Sequence, residues 1–113
     1  MADNIKSDAT FVKHSAQNGV YMKHFFNGKE TDGKLNNLEV HIVPGFEIAP
    51  HVHVNASEFF YVVSGSGEFL DSIKWIPIKK GDAFKAPQGM LHSVKNTGSE
   101  TLILLSTFSP PIK

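Results

Sequence analysis

Four side chains in this sequence have the types and spacing to converge on a metal ion. His51 and His53 are separated by one residue in Pro-His-Val-His-Val. In an extended strand, residues i and i+2 project from the same face about 7 Å apart, so two imidazoles placed this way reach a common point. Glu58 follows after four intervening residues, enough for a tight turn that returns a carboxylate from the neighbouring strand. His92 lies in a second strand-like run, Met-Leu-His-Ser-Val-Lys. Nitrogen and oxygen donors without sulfur suit Fe(II), Mn(II), Ni(II), Co(II), Cu(II) and Zn(II) alike. The set implies one divalent transition metal per chain and does not choose among these. In an octahedral site, four protein donors leave two positions for water, substrate or dioxygen. A ligand chelating there would have its C–H or O–H acidified, and iron or copper would activate dioxygen. Isomerase, lyase and dioxygenase chemistry are therefore all within reach of one donor set.

Such donors need rigid elements to hold them, and the chain reads as a succession of short strands. Val20 to Phe26, Leu38 to Val43, the histidine stretch, Glu58 to Val63, Glu68 to Leu70 and Lys74 to Ile78 are rich in β-formers. Ala83 to Ala86, Met90 to Lys95 and Thr101 to Phe108 follow. Glycine, proline and asparagine punctuate them at Asn27-Gly28, Pro44-Gly45, Gly65, Gly81-Asp82 and Asn96-Thr97-Gly98. Eight or nine strands with turns at this spacing and no helical period predict an all-β sandwich or barrel spanning about residues 18–109. Residues 1 to about 10 carry little hydrophobicity and are expected to fray.

At 113 residues the chain is expected to form one domain. Lys+Arg and Asp+Glu are both 11, so there is no basic stripe for nucleic acid and no charged block for an anionic membrane. With no cysteines, disulfides, zinc ribbons and thiolate chemistry are excluded. The polar start, Met-Ala-Asp-Asn-Ile-Lys-Ser-Asp, does not resemble a secretion signal, and no apolar run is long enough for a membrane-spanning helix. A cytoplasmic protein is the expectation.

The spacing of these residues resembles that of the cupin family. The first cupin motif places a glycine, His-x-His, a glutamate and a glycine where this chain has Gly45, His51, His53, Glu58 and Gly65. The second places a glycine, Pro-x-Gly, a histidine and an asparagine where it has Gly81, Pro87, Gly89, His92 and Asn96. All ten positions match, and 15 residues separate the motifs. The resemblance implies an antiparallel jelly-roll β-barrel with the metal held inside one mouth by His51, His53, Glu58 and His92, commonly in a homodimer. It also implies that some motif glycines take positive φ and that Pro87-Gln88-Gly89 bends the chain to swing His92 inward. Glu58 as a free base beside a three-histidine site is the alternative to Glu58 as a ligand.

Strand parity sketches the surroundings. If the histidines point inward, so do Ala49 and Asn55; Glu58 takes Phe60 and Val62 with it, and His92 takes Met90 and Val94. Phe60, Met90 and Val94 are the candidate substrate pocket, apolar around the ion and suited to a small molecule with an oxygen donor and a hydrocarbon body. Barrel core is the competing reading for Phe60, Val62, Met90 and Val94, above all for the two valines. His14, His24 and His41 read as surface residues, with His24, His41 and Lys85 as candidates for an additional acid or base at the mouth. Phe59, Tyr61 and Val63 point the other way, too apolar for water, and call for cover by another strand, a second sheet or a second subunit. The sequence thus supports a metal-dependent enzyme, oxygenase or isomerase/lyase, acting on a small organic substrate. A non-catalytic module that binds or senses a small ligand, or a barrel without metal, are the other readings. A chain of this length leaves no room for a helix-turn-helix beside the barrel.

Overall fold

The computed structural model describes residues 4–112. Ten strands follow one another: β1 (Phe11–Lys13), β2 (Val20–His24), β3 (Asn36–Ile42), β4 (Glu47–His51), β5 (Ser57–Ser64), β6 (Ser66–Asp71), β7 (Lys74–Lys79), β8 (Ala83–Ala86), β9 (His92–Lys95) and β10 (Leu102–Ser109). Every pairing is antiparallel. A six-stranded sheet runs in the order β1-β2-β3-β10-β5-β8 and a four-stranded sheet in the order β4-β9-β6-β7. Among the described residues no helix is long and apolar enough to cross a membrane.

The jelly roll expected from the motifs is present, built as two sheets with separate edges rather than one sheet closed into a barrel. Alternation is what seals it. On β3, β5 and β10 every second residue is buried, so Leu38, Val40, Ile42, Phe60, Val62, Leu102, Leu104 and Phe108 line the inner face. The four-stranded sheet returns Phe69, Ile78 and Val94 to the same core. Pro77 lies on β7, an edge strand, where its missing N–H costs no ladder bond.

The chain passes between sheets at Gly65, the single residue between β5 and β6. Its φ is +90°, and a Cβ there would sit 2.8 Å from the Thr101 carbonyl oxygen, so only glycine fits this corner. The buried Asn96 does comparable work with its side chain. Its amide donates to the carbonyls of Ile42 and Glu100 and its oxygen accepts from the Gly98 N–H, stitching the end of β9 to β3 and the turn into β10.

The one strand absent from the sequence reading is β1. All three of its residues are exposed, so no alternation marks it, and only pairing with β2 defines it.

Candidate metal centre

The four candidate ligands come from both sheets. His51 is the last residue of β4 and His92 the first of β9, and the two are register partners in the four-stranded sheet. Glu58 is the second residue of β5, in the facing sheet. The carboxylate therefore crosses the sandwich to meet the imidazoles instead of coming from a neighbouring strand. His53 lies beyond the end of β4, because the strand stops at His51. It is held by a loop contact: its carbonyl accepts the Gly89 N–H at 2.9 Å. Gly89, with φ +82°, sits in the turn closed by the Met90 N–H donating to the Pro87 carbonyl at 3.1 Å. That turn both delivers His92 and fastens the loop carrying His53.

One donor atom from each of His51, His53, Glu58 and His92 lies within 4.8 Å of all the others. Backbone carbonyls set the ring orientations. His51 Nδ1 lies 2.7 Å from the Ala49 oxygen and His92 Nδ1 lies 2.9 Å from the Met90 oxygen. An oxygen can only accept, so both Nδ1 atoms carry protons and both Nε2 atoms are turned toward the centre. Glu58 is held in the same manner. Its Oε2 accepts from the Ser106 hydroxyl at 2.5 Å, while Oε1 faces His92 Nε2 at 3.2 Å and His53 Nε2 at 3.5 Å.

Burial drives the His51 imidazole below its ordinary value, against the Ala49 bond and aided by the neighbouring His92 and His53. Burial alone would raise the Glu58 carboxyl, but hydrogen bonds from His53, His92 and Ser106 outweigh it and hold the group below the usual carboxylate value. Burial likewise disfavours the His92 cation, yet the Glu58 carboxylate and the Met90 carbonyl more than offset this and raise it. His51 Nε2 and His53 Nε2 stand 3.1 Å apart, beside an ionised carboxylate. Inward-facing imidazole nitrogens around a buried anion are matched by a shared cation, and nitrogen and oxygen donors suit a divalent transition metal.

These donors open onto a cavity of about 730 Å³. Phe60 and Val94 line it, as parity predicts, and so do Ala49, Phe108 and Ile48. Met90 does not line this cavity. It borders a separate depression with Phe69 and Phe84, because it lies in the turn ahead of β9 and escapes the strand's alternation. Asn55 is exposed in the loop after His53. Of the other histidines, His14 and His24 line the cavity, whereas His41 pairs with Glu39 on the opposite face. Lys85 lines the separate depression.

Two residues near the centre escaped the sequence reading. Ser106 is 1% exposed and stands in the inward row Leu102, Leu104, Ser106, Phe108, where a hydroxyl among apolar neighbours was the available signal. Gln17, in the loop between β1 and β2, accepts the Ala49 N–H at 3.3 Å and gave no signal in the sequence.

Comparison with known proteins agrees with this geometry. The cupin domain family model matches residues 38–108, from within β3 to the penultimate residue of β10, and so includes all four candidate ligands. The oxalate-binding protein of Thermotoga maritima is 38% identical over 88 residues, covering 77% of this chain and 73% of its own. A germin-like protein of Arabidopsis thaliana, subfamily 2 member 2, is 34% identical over 85 residues; the match spans 66% of this chain but 39% of the plant protein. Among solved structures, a protein described as a predicted oxalate decarboxylase from Thermotoga maritima superposes with a TM-score of 0.82 at 28% identity, covering 90% of this chain and 91% of its own. An RmlC-like cupin from Shewanella frigidimarina shares the fold, with a TM-score of 0.78 at 22% identity over 94% of this chain and 87% of its own. Matched across more than half its length by the family model, with both histidine motifs folded into one centre, the chain belongs to the cupin family.

Proposed function

We propose that this chain binds one divalent transition metal through His51, His53, Glu58 and His92 and acts on a small organic acid that chelates the metal from the cavity. The observation that carries this reading is the convergence of four oriented donor atoms within 4.8 Å at the wall of a 730 Å³ cavity. When bound, the metal would supply Lewis-acid or redox chemistry to an oxygen ligand. The chain's own residues do the rest. The three histidines turn their Nε2 atoms toward the site of the ion, and Glu58 offsets its charge, its carboxylate kept ionised by His53, His92 and Ser106. Phe60 and Val94 exclude water beside it and form the apolar wall of the proposed substrate pocket; Met90 contributes through its carbonyl, which orients His92.

A cavity of this volume falls in the range of drug-sized ligand sites. The ligand therefore has a hydrocarbon body beyond its chelating oxygens, which favours oxygenase or isomerase/lyase chemistry on a substituted acid. The oxalate-binding relative favours a second reading, carboxylate binding without turnover. Incubating metal-loaded protein with a panel of 2-oxo and 2-hydroxy acids, with and without dioxygen, separates the two. Product formation supports the enzyme, saturable binding without product supports the binding module, and neither response contradicts a carboxylate site.

The same reading includes a homodimer. Phe59, Tyr61, Val63 and Leu105 are 46%, 47%, 37% and 40% exposed on the outer face of the six-stranded sheet. The four-stranded sheet packs on the other face, so nothing among the described residues covers them, and a second copy is the cover proposed.

A further inference from the structure

We propose that the loop between β1 and β2 reads the far end of the cavity ligand: His14 and Gln17 present two hydrogen-bond donors to an oxygen acceptor. The ligand is then bifunctional, chelating the metal at one end and carrying a carboxylate or carbonyl at the other. This rests on the metal-centred reading of the same cavity.

The donor character of both residues follows from their backbone partners. The Ala16 N–H donates to His14 Nδ1 at 3.0 Å. A nitrogen that accepts carries no proton, so the ring proton of His14 resides on Nε2. The Ala49 N–H donates to Gln17 Oε1 at 3.3 Å, which assigns the amide and leaves its NH₂ as the outer group. Both residues line the cavity and both are half-buried. Neither the His14 Nε2–H nor the Gln17 NH₂ has a protein partner among the described residues. Two donors that no protein acceptor engages fit an oxygen ligand better than an apolar one.

The nearby charges do not compete for this role. Lys6 also lines the cavity, but its ammonium is paired with Glu30 and lies 5.7 Å from the centre of the Phe26 ring. Glu30 is held ionised first by Lys6 and then by the Asn27 N–H. Gln17 is moreover close to the metal donors along the chain. The Ala49 peptide that it binds through N–H accepts His51 Nδ1 through its oxygen. Gln17, His14 and the four metal donors line one cavity, so one small molecule can touch both ends.

The test is calorimetric titration of the metal-loaded full chain with pairs of unbranched acids of equal length. In each pair both members carry a 2-oxo carboxylate and differ only in ending in a methyl or a carboxylate. At one length the dicarboxylate is expected to bind about tenfold more tightly, the worth of two hydrogen bonds. His14→Phe keeps a ring and deletes the donor. Gln17→Glu keeps the oxygen that holds Ala49, deletes the donor and adds a repelling charge. Each variant should remove most of the tenfold preference while leaving metal content and binding of the methyl-ended acid unchanged. A preference that survives both substitutions, or that appears at no chain length in the unaltered protein, overturns the proposal. Metal content measured on the same samples separates the two readings: no stoichiometric metal overturns the metal site and this inference together, whereas full metal without the preference overturns this inference alone. If His14→Phe does not fold, Gln17→Glu and the length series decide.

Discussion

Ser106 and Glu58, 48 residues apart in sequence, form a buried hydrogen bond of 2.5 Å between β10 and β5. Ser106 is 1% exposed and Glu58 7%. The hydroxyl occupies Oε2, so the carboxylate keeps one oxygen, Oε1, for the three imidazoles. A hydrogen bond inside the six-stranded sheet thus aims the only acidic donor of the centre.

Ser106→Ala should therefore act on the apoprotein as well as on the metal site. Removing a hydrogen bond to a buried charged group costs about 1.5–3 kcal/mol. The urea midpoint of the metal-free chain is expected to fall accordingly, and metal affinity with it. An unchanged midpoint would mean that the hydroxyl does not hold Glu58.

Replacing the histidines should separate ligation from folding. His53 sits in a loop, whereas His92 is 1% exposed and bonded to both Glu58 and Met90. His53→Ala and His92→Ala should both lose most of the bound metal. His92→Ala should destabilise the apoprotein more than His53→Ala, by about 1–3 kcal/mol, because both lose a bond to Glu58 but only His92 is fully buried and also leaves the Met90 carbonyl without its partner. Equal stability losses in parallel denaturation curves would contradict the assignment.

Glu58→Gln keeps an oxygen donor and removes the charge. A carboxylate committed to the ion is a poor general base, so the variant should bind metal more weakly and regain activity when metal is supplied in excess. A fully metallated, inactive variant would instead make Glu58 a base and favour proton-transfer chemistry.

Tyr61 and Leu105 are register partners on the exposed apolar face. Tyr61→Glu would place a charge at the centre of the proposed dimer contact, where desolvation is costly. Light scattering should report a dimer for the unaltered chain and a monomer for the variant at the same micromolar concentration. A monomer of 12.4 kDa for the unaltered chain would remove the dimer from the account.

The parts of this structure that obey a period were legible in the sequence. Glu58, Phe60 and Val62 face inward and Phe59, Tyr61 and Val63 outward, as alternation requires. Departures occur where regular strands stop. Strand parity extends over His53 and Met90 in the sequence, but each lies in a loop or turn, where local hydrogen bonds fix direction. The facing of Glu58 across the sandwich depends on the corner that moves the chain between sheets, and spacing alone does not distinguish it from a hairpin. His14 and Gln17 come to the cavity because β1 pairs with β2, and the exposed residues of β1 carry no pattern that announces that pairing.

The most direct test of the account is metal stoichiometry. Protein stripped by chelator, reloaded separately with Fe(II), Mn(II), Ni(II), Co(II), Cu(II) and Zn(II), and desalted should retain close to one ion per chain for at least one metal. The double variant His51→Ala/His53→Ala, treated identically and shown to be folded, should retain almost none. Full retention by that variant would move the ion to another site, and no stoichiometric retention of any metal by the unaltered chain would contradict the metal centre itself.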